Sequence, residues 1–451
     1  MKIKQMDMLT GKLGEKLLLF ALPLAVTGIL QQLFNAADVA VVGRYVNKEA
    51  MAAVGSNAPV VGLMVNLFMG IALGANVVIS RCLGAGENVS AGKTVHTSIL
   101  VALTGGLIMT AVGELVAEPL LNFMGVPDSI LPMSLMYLRV YMTGMPVIFL
   151  YNFESAIFRS KGDTSTPLIC LVVSGIVNVI LNIFFVKVCH MAASGVALAT
   201  VIANTLSSGM MFVMLLRRKD EIKVRFSELR IDPAILREIL RIGVPAGLQD
   251  CVFSISNICV QSAVNSLGTD IIAASSAAFN IEIFAYYIIN SFGQACTTFT
   301  SQNSGAGKYD RCRKVLRISF LQALAASLAC IVVFMLPSRY ILLIFNSDPA
   351  VIHYGVIRIS TIVGFEGINA IIEIFSGALR GHGLSSGPAA MTLIGVCGTR
   401  FLWVFTVFRL FRSFGWLMAV YPVSWLVTSA ALVIYYMAKR KTIYSENPAG
   451  H

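Results

Sequence analysis

About twelve charge-poor apolar runs, each long enough to cross roughly 30 Å of bilayer hydrocarbon as a helix, leave this chain few folds. They fall at residues 17–41, 51–79, 94–117, 130–155, 167–189, 194–216, 236–264, 271–300, 312–336, 351–378, 388–410 and 415–437. The 451 residues are 57% hydrophobic and only 13% charged, outside the range of soluble domains. A transmembrane β-barrel also satisfies its backbone in lipid, but these runs are too long for tilted strands and do not alternate in polarity. An all-α polytopic membrane protein is expected. The first run is too long for a cleaved signal peptide, contains Asp38 and lacks a small-residue cleavage site.

Lys2, Lys4, Lys12 and Lys16 precede that run, and Lys and Arg concentrate in every second loop after it. Positive charge marks the cytoplasmic side, so both termini are expected there, with the protein multi-pass in the inner (cytoplasmic) cell membrane. The net charge of +11 then lies beside anionic lipid and calls for no nucleic-acid partner. The nine cysteines form no CxxC pair and read as packing residues.

The longest charged segment, 217–241, separates two halves and reads as a cytoplasmic linker between an N-terminal six-helix bundle (1–216) and a C-terminal one (242–451). The halves repeat at nearly one offset: Pro23 over Pro245, Gly84 over Gly305, Arg159 over Arg380 and Pro167 over Pro388. Six spans per half is an even number, so both halves enter the membrane in the same sense. Parallel repeats of this kind belong to secondary transporters, with substrate sites between repeats and alternating access by rocking. The chain carries no GxxxxGK[ST], so pumping would draw on an ion gradient.

Asp38 stands out in this setting. Thr27, Gln31, Asn35 and Asp38 form one helical stripe, and Asp38 maps onto Val260 in the second half. Ser174, Asn178 and Asn182 share a face of the fifth span, as do Thr200, Asn204 and Ser208 on the sixth. Carboxylate, amide and hydroxyl oxygens would suit a hard cation such as Na+, and a buried carboxylate would equally carry a proton. Against this stands the use of Asn, Ser and Thr as glue between membrane helices; an ionisable group such as Asp38 is harder to explain that way.

The other intramembrane charges are Arg139, Glu154, Asp250, Glu282, Arg358, Glu366, Glu373 and Arg400. Glu282, Glu366 and Asp250, with Gln31 and Tyr286, are candidate contacts for a lipophilic cation, using carboxylates for charge and aromatic faces for cation–π contact. The competing expectation is an internal ion pair, for instance Glu366 with Arg358 or Arg400. Glu154 and Glu373, close to Arg159 and Arg380, read as interfacial partners.

The series QQLFNAADVAVVGR with AMAAVGSNAP, SRCLGAGE and, in the second half, ALRGHG resembles the multidrug and toxic compound extrusion (MATE) family over essentially the full length. The resemblance implies a V-shaped, two-lobe, twelve-helix transporter that exports cationic or amphipathic drugs in exchange for H+ or Na+. It needs no further cofactor and no obligate protein partner. In the prokaryotic branch, the cation-binding roles fall on Asp38, Asn178, Asn182 and Thr200. Part of that branch has a second aspartate where Asn182 stands here, which leaves the coupling ion open. Pro23 falls in the first helix, where a bend would couple the ion site to the cavity.

Two other functional classes compete with this reading. A lipid-linked oligosaccharide flippase shares a related helical plan but would want a cationic cavity, and the inner carboxylates outnumber the inner arginines. An intramembrane enzyme would need a nucleophile or metal constellation such as HExxH, and none is present, so no catalytic residue is assigned. Other features read as structural: the GAG turns at Gly84 and Gly305 join membrane helices, and Thr166 before Pro167 reads as an N-cap.

Overall fold

The computed structural model describes residues 6–444 and is helical almost throughout, with no strand among the described residues. The first half comprises α1 (Leu13–Tyr45), α2 (Lys48–Ala85), α3 (Asn88–Phe123), α4 (Leu131–Thr143), α5 (Met145–Ser160), α6 (Ser165–Ile183) and α7 (Ala193–Arg217). The second comprises α8 (Pro233–Asn265), α9 (Thr269–Gly305), α10 (Tyr309–Cys330), α11 (Ser338–Leu342), α12 (Pro349–Ile362), α13 (Glu366–Gly381), α14 (Ser386–Thr392), α15 (Thr399–Phe405), α16 (Val407–Leu410), α17 (Phe414–Met418) and α18 (Val420–Tyr444). Short π-helical turns prolong α6, α10 and α14.

Ten helical runs among the described residues combine the length and apolar composition needed to cross a membrane. The pair α4 and α5, bent by 50°, makes an eleventh. Pro146, in the first turn of α5, has no N–H to offer the Met142 carbonyl of α4, which accepts instead from the Thr110 hydroxyl (2.7 Å), so the helix is broken there. The twelfth expected run is α8, a continuous 33-residue helix whose polar residues, among them Gln249, Asp250 and Asn257, lower its apolar content below that of the others.

The repeat read from the sequence recurs in the backbone. Gly86 (φ +77°) and Gly307 (φ +68°) close the turns after α2 and α9, and Gly162 (φ +82°) and Gly383 (φ +81°) those after α5 and α13. A side chain is strained at such left-handed angles, which explains why both halves keep glycine there. Just past Gly162, the expected cap at Thr166 is corrected. Asp163 accepts from the Thr166 backbone N–H (2.9 Å) and hydroxyl (2.7 Å), so the aspartate caps α6.

The chain forms two compact units. One contains Val26–Val244, and the other contains Asp7–Ala25 with the chain from Pro245 onward. The change of unit in α1 follows Pro23 by two residues, although α1 runs unbroken through that proline. In the first unit α5 packs against α2 and α3, and α6 against α7. Gly106 brings α3 onto the backbone at Pro146, too close for any side chain at residue 106. In the second unit α9 packs against α13, α10 and α12, with Gly377 of α13 on the Gly293 carbonyl of α9. Small residues at such crossings let membrane helices approach closely.

Candidate functional site

Three helices of the first unit converge on Asp38. Asp38 on α1 faces Asn178 and Asn182, one turn apart on α6, and Thr200 near the start of α7. Asn182 donates from Nδ2 to Asp38 Oδ1 (2.6 Å), and the Thr200 hydroxyl donates to Asp38 Oδ2 (3.0 Å). Asn182 Nδ2 also reaches Asn178 Oδ1 (3.3 Å), and Asn178 Nδ2 reaches the Thr200 hydroxyl (3.4 Å). Asp38, Asn178 and Asn182 are buried.

Among the described residues no Lys, Arg or His forms an ion pair with Asp38. A desolvated carboxylate held only by neutral donors is costly and is relieved by a proton or a cation. Asn182 Oδ1 is buried with no hydrogen-bond donor, so a second acceptor in the same cluster also lacks a partner. The Asp38 carboxylate, Asn182 Oδ1, Asn178 Oδ1 and the Thr200 hydroxyl form an oxygen set of the kind that Na+ takes, and Asp38 alone suffices for a proton.

The sequence candidates separate clearly. Asp38, Asn178, Asn182 and Thr200 come together; Asn35, on the same stripe, is exposed and stands outside this network, and Gln31 is half-buried with no part in it. In the second unit Glu282 is taken by Arg358, which donates from Nη2 (2.6 Å) and Nε (3.1 Å). The ion pair therefore exists, but with Glu282 and not with Glu366 as expected. Glu366 instead accepts from Asn369 Nδ2 (2.7 Å). Asp250 is half-buried and lies within electrostatic reach of Arg380 and Glu373, while Tyr286 is partly exposed beside Tyr287.

The interfacial expectation for Glu154 and Glu373 is corrected as well. Glu154 is fully buried and accepts from the Ser208 hydroxyl (2.9 Å), and Glu373 is buried and accepts from Asn290 Nδ2 (3.0 Å). Sequence reasoning also missed Tyr137 and Tyr141, whose stacked rings lie within electrostatic reach of Asp38. Their one-turn spacing on α4 was the available signal.

The MatE family model matches residues 23–184 and again 245–406, which sets Pro23 over Pro245 as the internal repeat does. The chain belongs to the MatE family. This is a family of multi-pass membrane transporters, and the match covers most of both repeats. Among curated MatE-like relatives, the probable multidrug resistance protein YoeA of Bacillus subtilis is 27% identical over 84% of this chain and 84% of its own. The probable multidrug resistance protein NorM of Thermotoga maritima is 27% identical over 89% of this chain and 87% of its own. A crystal structure of a MATE protein in complex with MaL6 shares the fold, with a TM-score of 0.89 at 20% identity, covering 97% of this chain and 98% of that one.

Proposed function

We propose that this MatE protein exports cationic or amphipathic organic compounds across the cytoplasmic membrane by alternating access, in exchange for H+ or Na+ bound at Asp38. The observation that carries this reading is a buried carboxylate with neutral donors and, among the described residues, no cationic side chain as partner. The multidrug names of the relatives support the substrate class. Ion binding removes the cost of the buried charge and frees Asn182 and Thr200 to re-aim their donors, so conformations that differ in how α1 meets α6 and α7 differ in their contacts with the ion. Such differential contact is what an ion needs in order to shift a conformational equilibrium. Asn178, Asn182 and Thr200 would hold Na+ with Asp38, and a proton would reside on Asp38 itself. In this reading both termini are cytoplasmic, and the charged 217–241 segment joins the repeats on that side.

The test is ethidium efflux from oriented proteoliposomes under an imposed Na+ or H+ gradient, with wild type and Asp38→Asn compared. Export driven by one gradient and lost in the variant is expected. Equal gradient-driven export by both proteins would remove Asp38 from coupling.

A further inference from the structure

The second unit holds a buried charge of opposite sign at nearly the place that Asn178 holds in the first. The family repeat sets residue 184 over residue 406, and within one residue it sets Asn178 over Arg400, while Asp38 falls over Val260. Arg400 is one of the largest fully buried side chains, 1% exposed. Its Nη1 donates to Asn257 Oδ1 (2.5 Å) and the Ser256 hydroxyl (3.0 Å), and its Nε to the Ser424 hydroxyl (3.3 Å). The guanidinium carbon lies 4.6 Å from the Tyr421 ring centroid and 5.9 Å from that of Phe253.

All of these partners are neutral. Among the described residues no carboxylate forms an ion pair with Arg400, and no acceptor takes a bond from Nη2. Arg358, which also faces Tyr421, makes the contrast: Glu282 neutralises it through two bonds. An arginine stays protonated at any physiological pH, so Arg400 cannot shed its charge as a carboxylate can. A guanidinium desolvated in the span and left without a counter-charge is among the most costly arrangements a membrane protein can hold. Its planar fork matches a carboxylate, and the free Nη2 edge and the exposed Asn257 give such a group an approach.

We infer that Arg400, with Asn257 and Tyr421, is an anion site that takes the carboxylate of an amphipathic organic molecule. The Tyr421 and Phe253 rings supply an apolar and aromatic wall beside the charge, which suits an aryl or alkyl carboxylate better than a hydrated inorganic ion. The site lies wholly within the second unit and requires neither Asp38 nor ion coupling.

The experiment measures binding rather than export, so it stands whether or not the coupled-export reading holds. Full-length protein in detergent micelles, in a chloride-free gluconate buffer, is titrated with 1-naphthoate, 1-naphthamide and 1-naphthylmethylammonium, with tryptophan quenching as the readout. Naphthoate is expected to bind about tenfold more tightly than the amide, the preference that one charge-assisted pair confers. Arg400→Gln is expected to bring the two within about twofold. Asn257→Asp places a carboxylate against the guanidinium; it is expected to raise the thermal midpoint and to abolish the naphthoate preference. That variant keeps the test decisive if Arg400→Gln does not fold.

Equal binding of the three probes to wild type, or a naphthoate preference that survives Asn257→Asp, would overturn the assignment. Displacement of naphthoate by millimolar chloride, with chloride alone raising the thermal midpoint as much, would make this an inorganic-anion site and overturn its organic ligand.

Discussion

Asn182 donates to Asp38 at 2.6 Å across 144 positions of sequence, and this bond ties α6 to α1 at a carboxylate whose place in the second repeat is taken by Val260. Asn182→Ala removes that donor while Thr200 keeps its own. A loss of about 1–3 kcal/mol is expected when a buried acceptor loses its partner. Thermal unfolding in detergent checks the stability, and ethidium efflux should lose its steep dependence on the gradient. Unchanged efflux and midpoint would show that Asp38 does not depend on α6.

Glu282 and Arg358 make a nearly buried bidentate pair, with side chains 10% and 5% exposed. Glu282→Gln leaves the guanidinium buried and uncompensated, and should cost about 3–5 kcal/mol. The double variant Glu282→Leu/Arg358→Met should recover most of that loss, because it removes both desolvation penalties together. A double-mutant cycle on unfolding midpoints measures the coupling, and additive losses would rule it out.

Asp163 accepts from Thr166 twice and pairs with Arg218 at 3.1 Å, so it joins the start of α6 to the end of α7. Asp163→Ala should destabilise the first unit by about 2 kcal/mol, at the upper end of capping effects. Thr166→Val, which keeps the backbone N–H bond, should cost less. The order of the two unfolding midpoints is the check.

Two glycines in helices should respond with opposite signs. An alanine methyl at Gly377 would sit 2.5 Å from the Gly293 carbonyl, whereas at Gly209 it would meet nothing within 4 Å. Gly377→Ala should cost about 1–3 kcal/mol through overpacking. Gly209→Ala should gain up to about 1 kcal/mol from helix propensity.

His382, just past the end of α13, has Nδ1 3.2 Å from the Ser304 hydroxyl and a buried Nε2 with no partner. Burial lowers its pKa from the ordinary 6.5 to about 4. Between those values the unfolded chain holds a proton that the folded chain lacks, so its contribution is complete above pH 6.5 and is lost as pH falls toward 4. The slope from one such proton is at most about 1.4 kcal/mol per pH unit. Unfolding midpoints between pH 7.5 and pH 4.5 should fall less steeply in His382→Gln.

Much of the molecule was legible without coordinates, for local reasons. Hydrophobic length sets a membrane helix by itself, so the runs from 17–41 to 415–437 reappear as helices, including α8, whose polar content places it apart. Left-handed turns demand glycine, so Gly86 and Gly307 marked the same turn in both halves. Asp38 stood out because a charge inside an apolar span has a local cost visible in the residues around it.

What only the tertiary structure decided are the choices made among near-equivalent partners. Helical spacing placed Asn35 and Asp38 on one stripe, yet Asp38 faces α6 and α7 while Asn35 is exposed, because the rotation of a helix is set by its neighbours. Glu282 and not Glu366 met Arg358, because a pair 76 residues apart depends on how α9 and α12 cross. Arg400 was one charge among eight in sequence; that it forms no ion pair with a carboxylate among the described residues emerged only once α8, α15 and α18 had closed around it. Local physics determines which segments enter the membrane, and long-range packing determines which buried charges are neutralised.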